Sequence, residues 1–390
     1  MSSSSHKKPL LVVLSRFPYP LEKGDKLRAY HQLKELSEHH SITLFAINDA
    51  KVSDEDLAIV KAFCEEVHIH QQSMLQKTSG LLRSWTGGLP YQVGYFYSYK
   101  AHRQLKIVIQ NQSFDHIFCQ LIRMSEYVKN EHLHAKTLDY MDTLSAGIER
   151  RIDQQAWFKR WLFRSEAKRL KVYESKMFDF FENKVIISEQ DRNLIHHPDA
   201  KEIHCIPNGI ASEFFEEIAI DKSHDFVFVG NMSYAPNIEA VQYIAREILP
   251  NFPNSKLLIS GSSPATAVQR LSQHSQITLT GWVHDIRESY VSAKIFLAPM
   301  MIGTGMQNKL LEAMALGIPC ITTSLANNAI HARHEEHILV ANDADQFKEA
   351  IRRLQEDQEL YSKLKNNARS FVQDRYSWKE TAEHLRKLFD

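Results

Sequence analysis

The residues best suited to chemistry lie between Pro299 and Pro319, in the stretch PMMIGTGMQNKLLEAMALGIP. An apolar run ends at Pro299, Gly303, Thr304 and Gly305 form a loop, and Met306, Gln307 and Asn308 lead into a helix that stops at Gly317. A glycine loop feeding a helix start presents unpaired N–H groups and the positive end of the helix dipole, a cradle for a diphosphate. Lys309 falls in the first turn, where the dipole disfavours a cation unless an anion sits in front of it. Glu312 follows three residues later on the same face, where a carboxylate can accept hydrogen bonds from two ribose hydroxyls. The plainer alternative is a surface Lys–Glu pair at helical spacing; the glycine loop and its place at a strand edge weigh against that.

Other candidates are more dispersed. Three apolar runs of the second half end in glycine, at Gly230, Gly261 and Gly281. Beyond the carboxyl end of a strand a glycine lets backbone approach a ligand, or simply makes the turn. Asp142 closes the run KTLDYMD, where it either orients or deprotonates a hydroxyl or caps a following helix. Asp139, of the same type, sits inside that run. Residues 157–176 carry seven Lys/Arg against two Glu, with Trp157, Phe158 and Trp161 among them. That is either an interfacial helix or an amphipathic helix packed on its own domain. Asp54-Glu55-Asp56 has the form of a D-x-D metal motif, but behind Ser53 it reads as a capped helix start. No zinc spacing, P-loop or G-x-S-x-G occurs, and no metal site is expected.

These residues need elements to hold them. Short apolar runs at 10–15, 41–46, 67–70, 114–119, 136–142, 184–188 and 202–207 alternate with helical patterns, which predicts a parallel sheet with helices on both faces. A long helix is expected over 155–182. The pattern restarts at 225–230, 256–261, 277–281, 295–299 and 319–323. The spacing predicts an N-terminal domain over 1–207, a linker over 208–223 and a C-terminal domain over 224–375, with 376–390 returning to the first domain. At 390 residues two domains are the natural division.

The formal net charge is zero, so global charge names no polyanion and gives no ground for nucleic acid as a partner. Residues 1–205 hold 29 Lys+Arg against 25 Asp+Glu, which makes the N-terminal half the better match for a phosphate-bearing acceptor or an anionic membrane surface. Cys64, Cys119, Cys205 and Cys320 sit among apolar residues without C-x-x-C spacing, as reduced core thiols of a cytoplasmic protein do. The run 10–14 is too short for a signal-peptide core or a membrane span.

The segment 303–319 resembles the donor-site signature of glycosyltransferase family 4, in which a loop and helix end in L-E-A-M-A-x-G-x-P. Asn208-Gly209 after Ile206-Pro207, the VIISE at 185–189 and Tyr376-Ser377-Trp378 resemble further signatures of that family. FPYPLEKGDKLR at 17–28, FVGNMSYAPN at 228–237 and GMQNKLLEAMA at 305–315 look closest to sugar transferases of bacterial exopolysaccharide loci. The resemblance implies the GT-B architecture: two Rossmann-like domains facing across a cleft, with a C-terminal helix crossing back to the first.

It also implies roles. Gly230, Asn231, Gly261, Gly303, Thr304, Gly305, Met306, Gln307, Asn308, Lys309 and Glu312 would bind the donor, a nucleotide-diphosphate sugar. Trp282, Val283 and His284 would lie against its base, largely through backbone groups. Gly24, Asp25, Lys26 and Arg28 would face the acceptor, and Asp142 and Lys309 would be catalytic. The sequence departs from the family at Thr304, where a Glu is usual, and at 230–234, where no Arg or Lys follows the strand. The expected reaction is metal-independent, cofactor-free glycosyl transfer, with retention implied by the resemblance, onto a glycan or lipid-linked acceptor at the inner face of the plasma membrane. Rival readings are a nucleotide-sugar 2-epimerase of the same architecture and a non-catalytic sugar-nucleotide binder.

Overall fold

The computed structural model describes residues 7–21, 23–49, 51–152, 155–302 and 306–389. The chain divides into two compact units, one of residues 1–207 with 381–390 and one of residues 208–380.

The first unit is built on seven parallel strands: β1 (Lys8–Leu14), β2 (His40–Asn48), β3 (Glu66–Gln71), β4 (His116–Gln120), β5 (Ala135–Asp139), β6 (Asn183–Ile186) and β7 (His204–Cys205). Their order is β3-β2-β1-β4-β5-β6-β7, so the winding reverses between β1 and β4. A parallel sheet buried on both faces needs two apolar layers, and β1 supplies both. Leu11 and Val13 join one core, with Phe45, Ile117 and Phe96. Leu10, Val12 and Leu14 join the other, with Ala29, Leu33 and Ile42. The returning C-terminal segment completes the second layer through Leu385 and Phe389. The Phe389 ring stacks on His116, with centroids 4.6 Å apart.

The second unit has six parallel strands: β8 (His224–Val229), β9 (Leu257–Ser260), β10 (Ile277–Gly281), β11 (Ala293–Ala298), β12 (Cys320–Thr322) and β13 (Leu339–Val340). Their order is β10-β9-β8-β11-β12-β13, and the reversal falls between β8 and β11. In sheets of this kind a ligand sits at the carboxyl ends of the strands flanking that reversal. The two-residue β13 is not foreseen by the sequence pattern.

Local chemistry sets the helix starts. Ser53 accepts from the Asp56 N–H at 3.0 Å, so the acidic run 54–56 is the dipole-matched first turn of a helix. Asp285 caps Ile286–Val291 through the Arg287 N–H at 3.0 Å and also pairs with the Arg287 guanidinium. The long helix runs Trp157–Phe178. Its C-terminal half packs inward through Ala167, Leu170, Tyr173, Met177 and Phe178, while its first two turns leave Trp157 83% and Trp161 63% exposed. The reading of a helix packed on its own domain thus holds for the C-terminal half. Among the described residues no helix is long and apolar enough to cross a membrane.

Candidate functional site

In the second unit the helix Asn308–Ala315 follows β11, with Gln307 as its N-cap. Lys309 occupies its first turn, and its side chain reaches over the β8/β11 reversal. Its ammonium lies 5.1 Å from the centre of the Phe228 ring, on β8, and 3.9 Å from the sulfur of Met300, just past β11. It donates to the Asn237 side-chain oxygen, on the helix after β8. The Asn237 amide donates in turn to the Asn231 carbonyl at 2.9 Å, so one side chain ties Lys309 to the turn that leaves β8. Asn237 is a site residue that the sequence reading missed; its place in FVGNMSYAPN was the available signal.

The electrostatics follow from that setting. Burial lowers the Lys309 ammonium to about 8, and Glu312 opposes this. Glu312, one helical turn on, accepts from the Tyr290 hydroxyl at 2.7 Å. Burial raises its carboxyl above the usual range, against Tyr290 and then Lys309. Lys309 is therefore a half-buried cation bonded to a neutral amide rather than a carboxylate, a state that an arriving anion would stabilise. Tyr290 occupies one Glu312 oxygen and fixes the carboxylate while leaving its other oxygen able to accept.

Around this centre the predicted donor residues separate. Gly230 and Gly261 pack on each other: a Cβ on Gly261, whose φ is +135°, would stand 1.9 Å from the Gly230 carbonyl oxygen. Backbone packing between β8 and β9 thus requires a glycine at position 261 whether or not a ligand approaches it. The Asn231 side chain is spent on its own turn, accepting from the Ser233 N–H at 2.9 Å and hydroxyl at 2.7 Å. Trp282 is 72% exposed and His284 is exposed beside it, with ring centres 6.4 Å apart, while Val283 between them is half-buried. Met306, Gln307 and Asn308 are half-buried at the helix entrance. Gly303, Thr304 and Gly305 lie outside the described residues.

In the first unit the acceptor-side residues also separate. Arg28 does not face an acceptor. Its side chain is 0% exposed, its Nε donates to Asp139 at 2.7 Å and its Nη2 donates to the Ile206 carbonyl at 3.0 Å. It anchors the first helix to the ends of β5 and β7, because a buried guanidinium must be paired and fully bonded. Asp139 is the end of β5 rather than its interior, and its second oxygen accepts from the Met141 N–H at 2.9 Å. That contact supports a loop in which Met141 has φ +62°. Asp142 follows three residues beyond the strand and is exposed; the cap of the next helix is Thr143, so Asp142 is no N-cap. Surrounding protein, and then Asp191, raise its carboxyl to about 6, against Arg123 and Arg150. Gly24 opens the first helix, Asp25 pairs with Arg16, and Lys26 is half-buried.

Comparison with known proteins fits this geometry. Residues 223–357 match the family model described as glycosyl transferases group 1. Along nearly its full length the chain is similar to an uncharacterized 44.6 kDa protein of the cps region of Klebsiella pneumoniae: 22% identical, covering 97% of this chain and 99% of the relative. A UDP-Gal:alpha-D-GlcNAc-diphosphoundecaprenol alpha-1,3-galactosyltransferase of Escherichia coli is 26% identical over 49% of this chain, which spans about half (54%) of that relative's length. Among solved structures, sucrose-phosphate synthase from Thermosynechococcus elongatus superposes with a TM-score of 0.70 at 16% identity, covering 98% of each chain. HepE of Anabaena, in complex with UDP and glucose, superposes with a TM-score of 0.65 at 12% identity, covering 97% of this chain and 98% of its own. With two doubly wound parallel sheets, a group 1 glycosyl transferase match over residues 223–357 and a relative named as a galactosyltransferase, the chain is a glycosyltransferase of the GT-B architecture.

Proposed function

We propose that the chain transfers a sugar from a nucleotide-diphosphate sugar to an acceptor hydroxyl in the synthesis of a bacterial polysaccharide or glycoconjugate, with retention at the anomeric centre and without a metal. One observation carries the reading: the Lys309 ammonium is half-buried at the β8/β11 reversal with an amide, not a carboxylate, as its partner. A diphosphate there gains a cation and a helix start together, and the leaving group's developing charge falls on both. Glu312, steadied by Tyr290, would take the ribose. Asp142, held up to about 6 and exposed, would orient the acceptor hydroxyl. The UDP held by HepE and the UDP-Gal and diphosphoundecaprenol named for the Escherichia coli relative support a nucleotide donor and a lipid-linked acceptor. The cps region named for the Klebsiella relative supports a polysaccharide product.

An anionic membrane surface belongs to the same reading. Besides Trp157 and Trp161, the helix Met74–Gly87 exposes Leu75 by 82%, Leu82 by 60% and Trp85 by 68%. Arg169 joins the two helices by donating to the Ser84 and Leu89 carbonyls, at 2.6 and 3.0 Å. Both glutamates of the long helix are buried, while Lys159, Arg164, Lys168 and Lys176 are exposed, so its outward face is basic and aromatic.

The test is calorimetry with UDP-, GDP-, ADP- and dTDP-sugars, followed by an assay for sugar release or transfer with any donor that binds. Binding of one nucleotide class, with slow hydrolysis that a glycan acceptor accelerates, is the expected result. Conversion of the free UDP-sugar to an epimer with no acceptor present would replace the reading, and failure of every nucleotide to bind would end it.

A further inference from the structure

We infer that Arg16 and Arg123 form a second anion site, in the N-terminal unit, that takes the phosphoryl group of a phosphate-bearing acceptor. The inference rests on the reading above in assigning acceptor binding to that unit; the site itself rests on its own geometry.

Arg16 lies just past β1 and Arg123 just past β4, the two strands that flank the sheet's reversal. That is where a doubly wound sheet places a ligand. Both guanidiniums stand over one ring, Phe96, at 5.4 and 4.9 Å from its centre. Phe96 is 5% exposed and belongs to the core, so the ring is a fixed platform. Two cations gathered on one apolar ring repel each other unless anions lie among them.

The anions present fall short. Arg16 pairs with Asp25, whose backbone carbonyl accepts from Gln120 at 3.2 Å. The Arg123 Nε is buried and has no hydrogen-bond partner among the described residues. Burial, and then Arg16, lower the Arg123 guanidinium to about 10, against Asp25 and Asp142. Arg123 thus stays charged at neutral pH. Asp25 is bonded to Arg16 and Asp142 acts on Arg123 only through its charge, so Arg123 keeps an orphaned donor that a phosphoryl group can use. Its oxygens accept from an Nε–H and an Nη–H of one planar fork, a geometry that lysine lacks. A buried donor left unmade costs stability, so a fold that keeps one at a ligand-binding edge keeps it for a partner. Asp142 is among the charges nearest Arg123. An acceptor anchored through its phosphoryl group would therefore bring a nearby hydroxyl toward that carboxylate.

The experiment uses inorganic phosphate as probe in the full chain carrying Lys309→Ala, so that the donor diphosphate site contributes little. Calorimetry should show weak phosphate binding that falls by about tenfold to a hundredfold when Arg123→Met is added, the effect of losing a charge-assisted contact. UDP affinity of the Arg123→Met single variant, read at the other unit, should stay at the wild-type value. Arg123→Met should melt no lower than wild type in phosphate-free buffer, since it removes an unsatisfied donor and a like-charge neighbour of Arg16, and should lose the stabilisation that phosphate gives wild type. Should Arg123→Met fold poorly, the partly exposed Arg16→Gln serves in its place with the same expected loss of phosphate. A short-chain alkyl diphosphate and a hexose 1-phosphate then separate a lipid-linked from a soluble source, whichever outcompetes inorganic phosphate. Phosphate affinity unchanged in both arginine variants would overturn the inference. If UDP fails to bind wild type while phosphate binding still depends on Arg123, the donor reading falls and this site stands.

Discussion

The two units share a plan, a parallel sheet whose winding reverses once, and each gathers positive charge at that reversal. They differ in how the charge is held. In the second unit one lysine lies at the start of one helix, with its carboxylate neighbour three residues away on the same helix and a tyrosine to steady it. In the first unit the charge is split between Arg16 and Arg123, and a third arginine, Arg28, is held by Asp139 and the Ile206 carbonyl. A nucleotide diphosphate presents the same phosphates and ribose whatever sugar it carries, so its site can be local and compact. The acceptor site proposed for the first unit would be assembled from loops far apart in the chain. The comparison separates a cation that holds the fold from one proposed to meet a ligand: Arg28 has a carboxylate partner, and Lys309 is bonded to an amide.

The first way to break that comparison is Asp139→Asn. It strands a guanidinium that is 0% exposed and weakens support for the Met141 loop. Breaking a buried pair from one side costs about 3–5 kcal/mol, the largest effect expected here. Calorimetric melting should show the loss in the first unit, while UDP affinity, read in the second, stays near wild type. A matching fall in UDP affinity would show that Arg28 and Asp139 are not confined to one unit's stability. Lys309→Ala comes next. It should weaken UDP binding by ~1.5–3 kcal/mol, roughly tenfold to a hundredfold, and uridine binding far less. Equal losses for UDP and uridine would show that Lys309 serves the fold, as Arg28 does.

A third measurement sharpens the contrast without disabling the site. Lys309 lies near 8 in the free protein, and a bound diphosphate, by favouring the ammonium, must raise it. Binding then takes up a proton. UDP affinity should be level below about 8 and fall above it, by up to about tenfold per pH unit until the raised value is passed. Lys309→Arg, whose charge persists, should flatten the profile. An affinity that does not change between pH 7 and 9 in wild type would mean that no anion meets this ammonium.

The fold was legible because its signals are local. All twelve predicted strands are present, since each is an apolar run bounded by turn residues, and only β13, two residues long, went unseen. The helices between Met74 and Asn111 were not foreseen. Their packing depends on Gly80 and Gly94, where a Cβ on Gly80 would stand 2.0 Å from the Gly94 carbonyl oxygen. Two glycines fourteen residues apart carry no periodicity. The second-unit centre was legible because Lys309 and Glu312 share a helix turn, whereas Asn237 and Tyr290 come from other elements and were missed. Arg28 misled because it sits in a glycine-loop segment while its partner lies 111 positions on. Arg123 gave no signal, being a lone arginine in an apolar run whose companion, Arg16, comes from another strand end.

The smallest expected effect belongs to Glu312→Gln, and it tests the carboxyl neighbour of Lys309 in the second unit. The substitution keeps the side chain's size and a carbonyl oxygen for the Tyr290 hydroxyl, which now reaches Glu312 at 2.7 Å. It removes a carboxyl that burial already holds above the usual range, so little stability should be lost. What changes is the acceptor offered to the ribose: two hydroxyl donors meeting a carboxylate become two meeting an amide, which accepts at one end only. A net loss of about 1 kcal/mol is expected for UDP, the scale of one ordinary hydrogen bond. Wild type should prefer UDP over its 2′,3′-dideoxy analogue, and Glu312→Gln should lose most of that preference while binding the analogue as wild type does. Retention of the full preference would move the ribose contact away from Glu312 and leave the carboxylate only its effect on Lys309. The pH profile of the same variant decides that remainder. Among the described residues Glu312 is the group that props up the ammonium, so its neutralisation should bring the fall in UDP affinity to lower pH.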